Sequence, residues 1–438
     1  MTARTRAAVL ATASLNGLSR RLGLGGGTVV GGRLGLAIAP NLLEVLGSAR
    51  TVAVVSGTNG KTTTTRLLAA ALEEAGSPVV TNATGSNMPA GHVAAMAAGP
   101  PNATAVLEVD EGYVPAIVHS LAPAAVVLLN LSRDQLDRSN EVRMVAARWR
   151  GTFAAAGGTV IANADDPLVV FGAQSAHSVV WVAGGMRWRS DASGCPACGG
   201  RIRFDAHGWS SECGFARPKP DVDVDEGPDG TTTAVFADGR RLAVVLAIPG
   251  SFNRRNAVLA AAAAEVLGVP ADRALSAMGR IEGVAGRFSL HSVRGVPTRL
   301  LLAKNPAGWA ELLDLVAPGS SPVVVAINAR VADGRDPSWL WDVPFERLAG
   351  RSVVATGERS ADLSVRLDYA GVTHERVVDP TDAVAVASRL AGHTEGSQPE
   401  KHVEDKRVED NGVEEQEPVE FIGNYTAFHD LLRASRAS

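Results

Sequence analysis

The stretch Gly57-Thr-Asn-Gly-Lys-Thr-Thr63 has the residue types needed to hold a chain of phosphates. Glycines let the backbone turn so that successive N–H groups face an anion, and the start of a following helix adds the positive end of its dipole. In such a loop Lys61 reaches the β- and γ-phosphates and the Thr62 hydroxyl ligates Mg²⁺, while Gly57, Thr58, Asn59, Gly60 and Thr63 complete the cradle. The strict pattern asks for glycine at position 55, where this chain has Val55. The alternative reading is a glycine-rich turn that only joins a strand to a helix. Two polar clusters fit the same chemistry. Leu107-Glu-Val-Asp-Glu-Gly112 ends an apolar run with the carboxylates Glu108, Asp110 and Glu111, and Asn130-Leu-Ser-Arg-Asp-Gln-Leu-Asp137 ends another. Carboxylates at strand ends also serve as helix caps or solvated loop residues.

A second constellation is metal-like. Cys195-Pro-Ala-Cys198 followed by Cys213-Gly has the spacing of a zinc ribbon, two thiolates on a knuckle and a second pair further on. The fourth ligand belongs three residues before Cys213, and Ser210 stands there. His207 could take that place in a Cys₃His site with a structural Zn²⁺; otherwise the ribbon survives as a packed loop. These are the only cysteines in the chain, so there is no disulfide framework and no other thiol to act as a nucleophile.

The elements that must position these residues follow from periodicity. Arg50–Ser56 is a short β-branched run, read as a buried strand feeding the phosphate loop, and Leu67–Ala75 is apolar-periodic, read as the helix after it. Ala103–Val109, Ala124–Leu131 and Thr159–Ala162 are further buried-strand candidates with helical stretches between them, which predicts an open, mostly parallel α/β sheet. Residues 1–45 read as helical, broken by the run Gly23–Gly35, with Met1–Arg21 an amphipathic helix carrying a basic face. Residues 190–222 interrupt the rhythm as the ribbon insertion, and Phe252–Leu267 is an alanine-rich helix. A second, smaller α/β pattern begins near Arg299, with strands Arg299–Ala303, Pro322–Asn328 and Ser352–Ala355. Residues 394–420 have almost no large apolar side chains and are expected to be a disordered charged insertion that activity does not need, with order resuming over Val419–Leu432. The expected organisation is a helical segment 1–45, an ATP-binding domain 46–292 and a second α/β domain 296–438.

Composition bounds the rest. Of 438 residues, 46% are hydrophobic and 20% charged, as in a globular protein of two or three domains. A net charge of −4 argues against a nucleic-acid surface. No uninterrupted apolar run has the length to cross a bilayer.

With GTNGKTT, the glutamate strand and NLSRDQLD in view, the chain resembles the Mur ligase family in its central ATPase domain. Four further stretches resemble its MurT group, the ligase-like subunits of lipid II isoglutaminyl synthase. They are Thr81–Asn87, Cys213–Pro218, Lys304-Asn-Pro-Ala-Gly-Trp309 and Asp333-Gly-Arg-Asp-Pro-Ser-Trp-Leu-Trp-Asp342. The resemblance implies a central P-loop ATPase domain with a zinc-ribbon-like insertion and a C-terminal Rossmann-like α/β domain. It implies ATP-dependent phosphorylation of the α-carboxyl of D-glutamate in the lipid II stem peptide, then attack by ammonia to give D-isoglutamine. Thr62 and Glu108 would hold Mg²⁺, Asn253 and Asn256 would lie at the adenine, and Arg287 near the phosphates. For the two asparagines the other reading is a helix N-cap. The ribbon departs from the group at Ser210, where the group has cysteine.

Ammonia would come from a GatD-like glutamine amidotransferase subunit in a heterodimer, to whose Cys–His pair this chain would lend one of Asp333, Asp336 and Asp342, with Asp336 preferred. Alternatively that loop packs Trp339 and Trp341 into the subunit interface. The expected location is cytoplasmic or peripheral at the inner face of the membrane. Two other readings stand beside this one. A Mur- or folylpolyglutamate-type ligase joining an amino acid is opposed by the fewer than 50 residues before the first strand, too few for a nucleotide-sugar-binding domain. A non-catalytic ATP-binding scaffold is opposed by Lys61, Thr62 and Glu108 standing together.

Overall fold

The computed structural model describes residues 2–21, 28–82, 86–133, 142–284, 287–394 and 417–437. The expectations for Ala83–Gly85 within Thr81–Asn87, for Asp134–Asp137, and for the charged insertion over 395–416 fall outside the described residues. The chain divides into two compact units, one holding residues 1–133 and 140–285, the other residues 286–438 with 134–139.

The first unit opens with α1 (Ala3–Arg21), α2 (Thr28–Ile38) and α3 (Leu42–Gly47). Alternation then sets in: β1 (Val52–Ser56), α4 (Lys61–Glu74), β2 (Val79–Thr81), α5 (Pro89–Ala98), β3 (Thr104–Val109), α6 (Val114–Leu121), β4 (Ala125–Leu128), α7 (Val142–Phe153), β5 (Thr159–Asn163), α8 (Pro167–Ala173) and β6 (Ser178–Val182). After β6 come a two-stranded hairpin, β7 (Ile202–Asp205) and β8 (Gly208–Ser211), three strands β9 (Val222–Glu226), β10 (Thr232–Phe236) and β11 (Arg241–Ala243), and two helices, α9 (Ser251–Val266) and α10 (Ala271–Gly279).

The nine-stranded sheet runs β11-β10-β9-β6-β5-β4-β1-β3-β2, parallel from β2 to β9 and antiparallel at the β9–β10–β11 end. Its central strands are buried along their whole length, as parallel strands covered on both faces must be. One face is covered by α3 and α5–α8 through Leu107, Ile117, Trp149 and Phe153; the other by α4, α9 and α10 through Leu67, Leu68 and the alanines of α9. Those alanines, Ala257 and Ala260–Ala264, are buried all round the helix and let α9 lie close to both α4 and the sheet.

One expectation is corrected here. The run Gly23–Gly35 is not a break throughout, because Thr28–Gly35 is helical within α2. Its glycines are there for contact: a Cβ at Gly32 would come within 1.8 Å of the Ala90 carbonyl oxygen, and one at Gly35 within 2.3 Å of Thr12 Oγ1. The antiparallel extension β9–β11 was not anticipated, since its exposed edge reads as polar rather than as a buried run.

The second unit contains β12 (Leu290–Val293), β13 (Val296–Leu302), α11 (Pro306–Val316), β14 (Val323–Ala326), β15 (Val353–Thr356), α12 (Ser360–Tyr369), β16 (His374–Arg376), α13 (Pro380–Thr394), β17 (Val419–Gly423) and α14 (Tyr425–Ala437). Its sheet order is β12-β13-β17-β14-β15-β16, parallel except for the β12–β13 hairpin. Thr394 ends α13 and Val419 and Glu420 begin β17, so both edges expected for the charged insertion belong to regular elements. Glu420 is buried in the middle of the sheet and is paired with Arg299 at 2.9 Å. The ion pair is why a charged residue can sit at a central-strand position.

Candidate phosphate-binding site

In the first sheet β1 lies between β3 and β4, with Ser56 in register with both Val109 and Leu128. The chain leaves β1 towards β2 on one side and returns through β3 to β4 on the other. The carboxyl ends of these three strands therefore meet at a topological switch point, where open α/β sheets bind ligands. Gly57–Gly60, Asp110–Gly112 and Leu129–Ser132 all leave the sheet there.

The loop after β1 needs its glycines. Gly57 has φ +142° and Gly60 φ +87°. A Cβ at Gly57 would come within 3.0 Å of the Asn130 backbone, and one at Gly60 within 2.8 Å of Asn256 Nδ2. Asn130 holds the loop in shape. Its carbonyl accepts the Thr58 N–H at 2.9 Å, its Oδ1 accepts the Asn59 N–H at 2.9 Å, and its Nδ2 donates to the Asn59 carbonyl at 3.0 Å. Beyond it, the Thr58 hydroxyl and the Ser132 backbone exchange two hydrogen bonds of 3.0 Å. Asp166, fully buried at the start of α8, fixes the next link by accepting the Leu131 N–H at 2.8 Å and those of Leu168 and Val169. Burial pushes its carboxyl up to about 6 against the pull of these donors.

Lys61 starts α4. Its ammonium donates to the carbonyls of Gly57 and Thr58 and pairs with Glu111 Oε2 at 3.0 Å, both side chains being largely buried. Glu111 is itself placed by Trp149, whose indole N–H donates to its carbonyl at 3.0 Å. Glu108 is half-buried on β3, and its backbone is clamped where β2 has ended. Asn82 accepts its N–H at 2.8 Å and donates to its carbonyl at 2.8 Å, so one amide side chain extends the ladder by a residue. His92 of α5 meets the same carbonyl through Nε2 at 2.8 Å, and its Nδ1 is buried without a partner. Desolvation lowers the His92 imidazole to about 4, against the carbonyl's opposing effect, so it is neutral at physiological pH.

Thr62 and Thr63 occupy the first turn of α4, Thr62 half-buried and Thr63 buried. Asn253 and Asn256 lie in the first turns of α9, and Asn256 reaches Gly60. Neither asparagine is the N-cap, because Gly250 holds that position; the Asn253 amide donates to the Pro249 carbonyl. Arg287 belongs to the second unit, where its charge, after desolvation, helps to lower the His429 imidazole.

The three candidate aspartates also lie in the second unit and differ in environment. Asp333 is buried. Its Oδ1 accepts the Thr426 N–H at 2.8 Å, and its Oδ2 accepts the Thr426 hydroxyl and the Arg330 N–H. Asp336 and Asp342 are exposed, Asp336 accepting the Ser338 N–H at 2.9 Å. Between them the loop is braced from inside by the buried Arg366, which donates to the carbonyls of Leu340 and Val343 and to Glu346. Trp339 is in the core beside Trp309, whereas Trp341 is 55% exposed and stacks edge-on against Tyr369 at 5.3 Å.

In the ribbon the ligand atoms of Cys195, Cys198 and Cys213 lie within 4.8 Å of one another. The Phe215 N–H is the chief cause that lowers the Cys213 thiol to about 7, whereas, against the pull of the Gly200 N–H, Cys213 and Cys195 raise the Cys198 thiol. His207 is not part of the cluster. The pair Asp205–Gly208 closes the hairpin and puts His207 in the turn at its tip, with its N–H on Asp205, while the cysteines gather at the other end. The oxygen beside the cluster belongs to Ser211, whose hydroxyl is 3.8 Å from Cys198 Sγ. Trp209 packs with Val170, Ile202 and Phe215 and donates to the Ala164 carbonyl, so the ribbon has an apolar anchor of its own.

Comparison with known proteins gives two domain matches: the Mur ligase middle domain over residues 55–186 and the MurT ligase C-terminal domain over residues 302–428. The lipid II isoglutaminyl synthase (glutamine-hydrolyzing) subunit MurT of Staphylococcus aureus strain COL is 28% identical over 377 residues, covering 81% of this chain and 85% of the relative. The subunit of the same name from Streptococcus pneumoniae is 28% identical over 399 residues, covering 84% and 88%. Among solved structures, a pseudomurein peptide ligase type C from Methanothermus fervidus has TM-score 0.63 at 19% identity, covering 88% of this chain and 78% of that one. MurF from Acinetobacter baumannii has TM-score 0.61 at 16% identity, covering 93% and 81%. At these identities the structural likeness carries the fold.

Two outcomes follow from the site. Asn130→Ala removes both side-chain bonds to Asn59 and should lower stability by about 1–3 kcal/mol; a roughly tenfold weaker ATP affinity is expected by calorimetry, since the loop loses its tether. His92 has a folded-state value near 4 against an unfolded value near 6.5, so its stability contribution is complete above about 6.5 and falls away as pH drops towards about 4. Denaturant melts of wild type and His92→Asn should therefore converge on acidification over that window by about 2–3 kcal/mol. A constant difference would show that His92 does not titrate there.

Proposed function

We propose, from a chain that belongs to the MurT-type ATP-dependent ligases, that it amidates the α-carboxyl of D-glutamate in a lipid II stem peptide. The observation that carries this is the meeting of the Gly57–Thr63 loop, Lys61, the Glu108–Glu111 acids and Asn130 at three adjacent strand ends. It is supported by matches to MurT relatives along most of the chain. The substrate's carboxylate oxygen attacks the γ-phosphorus of ATP, the bond from that phosphorus to the bridging oxygen breaks, and an acyl phosphate and ADP result. Ammonia then attacks the acyl carbon, the C–O bond breaks with its electron pair going to phosphate, and loss of a proton from nitrogen leaves the carboxamide.

Lys61, paired with Glu111, is the cation for the transferring phosphoryl group, and the low exposure of the pair raises the strength of that interaction. Mg²⁺ held through Thr62 and Glu108 would offset the remaining phosphate charge. The clamp of Asn82 and His92 on the Glu108 backbone gives its carboxylate a set origin. In this reading Asn253 and Asn256 line the nucleotide.

The only thiols are in the ribbon, so ammonia comes from a GatD-like glutaminase subunit. Because Asp333 is committed to Thr426, the aspartate lent to that partner is Asp336 or Asp342. Asp336 is preferred, as it is exposed close to the anchored Asp333 and its carboxylate is set by the Ser338 N–H. A structural Zn²⁺ would sit on Cys195, Cys198 and Cys213, with the fourth position left to Ser211 or water.

With the partner, glutamine, ATP, Mg²⁺ and lipid-linked stem peptide, Lys61→Ala should lower amidation at least about a hundredfold. Asp336→Ala should remove glutamine-dependent amidation while added ammonia restores it. Amidation by Lys61→Ala at the wild-type rate would sink the assignment of Lys61. A glutamine-dependent rate untouched by Asp336→Ala would pass the role to Asp342. For the ribbon, elemental analysis of chain purified without added metal should find zinc near one equivalent, falling with Cys195→Ser. Absence of zinc from the wild type would reduce the ribbon to its apolar anchor.

A further inference from the structure

The first two helices meet through small and polar side chains and leave some of their large apolar ones exposed. The inward stripes are small or polar, with Thr5, Ala8, Thr12 and Asn16 on α1 and Gly31, Gly32 and Gly35 on α2 all buried. A Cβ at Gly31 would come within 2.1 Å of Asn16 Oδ1, and one at Gly32 within 1.8 Å of the Ala90 carbonyl oxygen, so α2 approaches its neighbours backbone-close. Val9, Leu36 and Ile38 are partly buried against the core, whereas Leu10 is 67%, Val30 61% and Leu34 40% exposed. Arg4, Arg6 and Arg33 are exposed on the same two helices, and the first acidic residue of the chain is Glu44.

A helix pair on a water-facing surface normally turns polar side chains outward. Three exposed apolar side chains standing beside exposed arginines make the mixed apolar and basic face of helices that lie at a membrane interface. No helix of the described residues is long and apolar enough to cross a membrane, which leaves an interfacial position.

We propose that the outer faces of α1 and α2 dock the chain on an anionic bilayer surface. Leu10, Val30 and Leu34 enter the boundary between headgroups and acyl chains, while Arg4, Arg6 and Arg33 pair with lipid phosphates. Charge selects this occupant. A second copy seated on the same face would oppose arginines to arginines with no carboxylate among them, which repels. The whole chain carries −4, so an anionic surface attracts this basic segment and repels the molecule as a whole, which sets its orientation. The docking goes beyond the amidation reading and does not rest on it.

The test is flotation of the full chain with vesicles free of lipid II, made either of equal parts phosphatidylglycerol and phosphatidylcholine or of phosphatidylcholine alone. Binding is expected to the first and not the second, and to weaken as salt rises. Arg4→Gln/Arg6→Gln/Arg33→Gln should weaken it by about a hundredfold at low salt. Leu10→Ser/Val30→Ser/Leu34→Ser should weaken it by at least about tenfold. ATP turnover should match wild type in both triple variants, and so should thermal melting in the apolar one, whose side chains are exposed; loss of the Arg4 bond to the Ile38 carbonyl lowers melting slightly in the other. Failure of the wild type to float with the anionic vesicles overturns the proposal, as does flotation unaffected by either triple variant. A self-association, seen by sedimentation, that the apolar triple abolishes while flotation persists also overturns it. Because amidation can be assayed separately on a water-soluble stem peptide, loss of one reading leaves the other standing or falling by its own result.

Discussion

A loop that offers its N–H groups to phosphate cannot use all of them to hold itself in place. Here the tether is the neighbouring strand end: Asn130, with its backbone carbonyl and both ends of its amide, takes the Thr58 and Asn59 segment. The first turn of α4, whose N–H groups have no intrahelical acceptors by helix geometry, then follows directly from Gly60. Everything else near the site serves this arrangement. Asp166 holds Leu131 so that Asn130 is correctly presented, Trp149 holds Glu111, and the alanines of α9 let Asn256 come up against Gly60. The parallel sheet matters chiefly because it brings β1, β3 and β4 to one edge with their ends level.

Much of the frame was legible in the sequence because buried parallel strands are short β-branched runs, and β1, β3, β4, β5, β14 and β15 all read that way. The turn between β1 and α4 was legible because glycine at 57 and 60 is a backbone requirement that shows as residue identity. What escaped was pairing. Asn82, His92, Asn130 and Glu111 are ordinary polar residues until tertiary packing sets each against a particular backbone group or charge. Glu108 was the carboxylate singled out by sequence, yet the one that meets Lys61 is Glu111, three residues on and past the end of the strand. His207 failed for the opposite reason: close spacing to Cys213 suggested proximity, but a tight turn at the hairpin tip carries it away from the cysteines.

The second unit shows the same division of labour between display and support. Of three aspartates that look equivalent in the sequence, Asp333 is consumed by Thr426 and stiffens the loop, leaving Asp336 and Asp342 on the surface. Arg366 supports the loop from beneath through carbonyls of residues that carry no polar side chains at those points, Leu340 and Val343. A buried arginine in a helix offered no hint of that role in the sequence. The two tryptophans likewise part company, one closing the core and the other facing outward.

The strand order of the second sheet has a consequence for how the polypeptide is made. β17, the last strand of its sheet in chain order, lies between β13 and β14, which are synthesised long before it. Until β17 emerges from the ribosome, the edges that β13 and β14 will turn to it remain unpaired, and Asp333 lacks the Thr426 that anchors its loop. The first unit, whose described strands are complete by Ala243, can collapse during translation, whereas the second cannot close its sheet until β17 has been made. A nascent chain therefore carries these sheet edges unpaired from the synthesis of β14 until that of β17, an interval in which chaperone access would matter most.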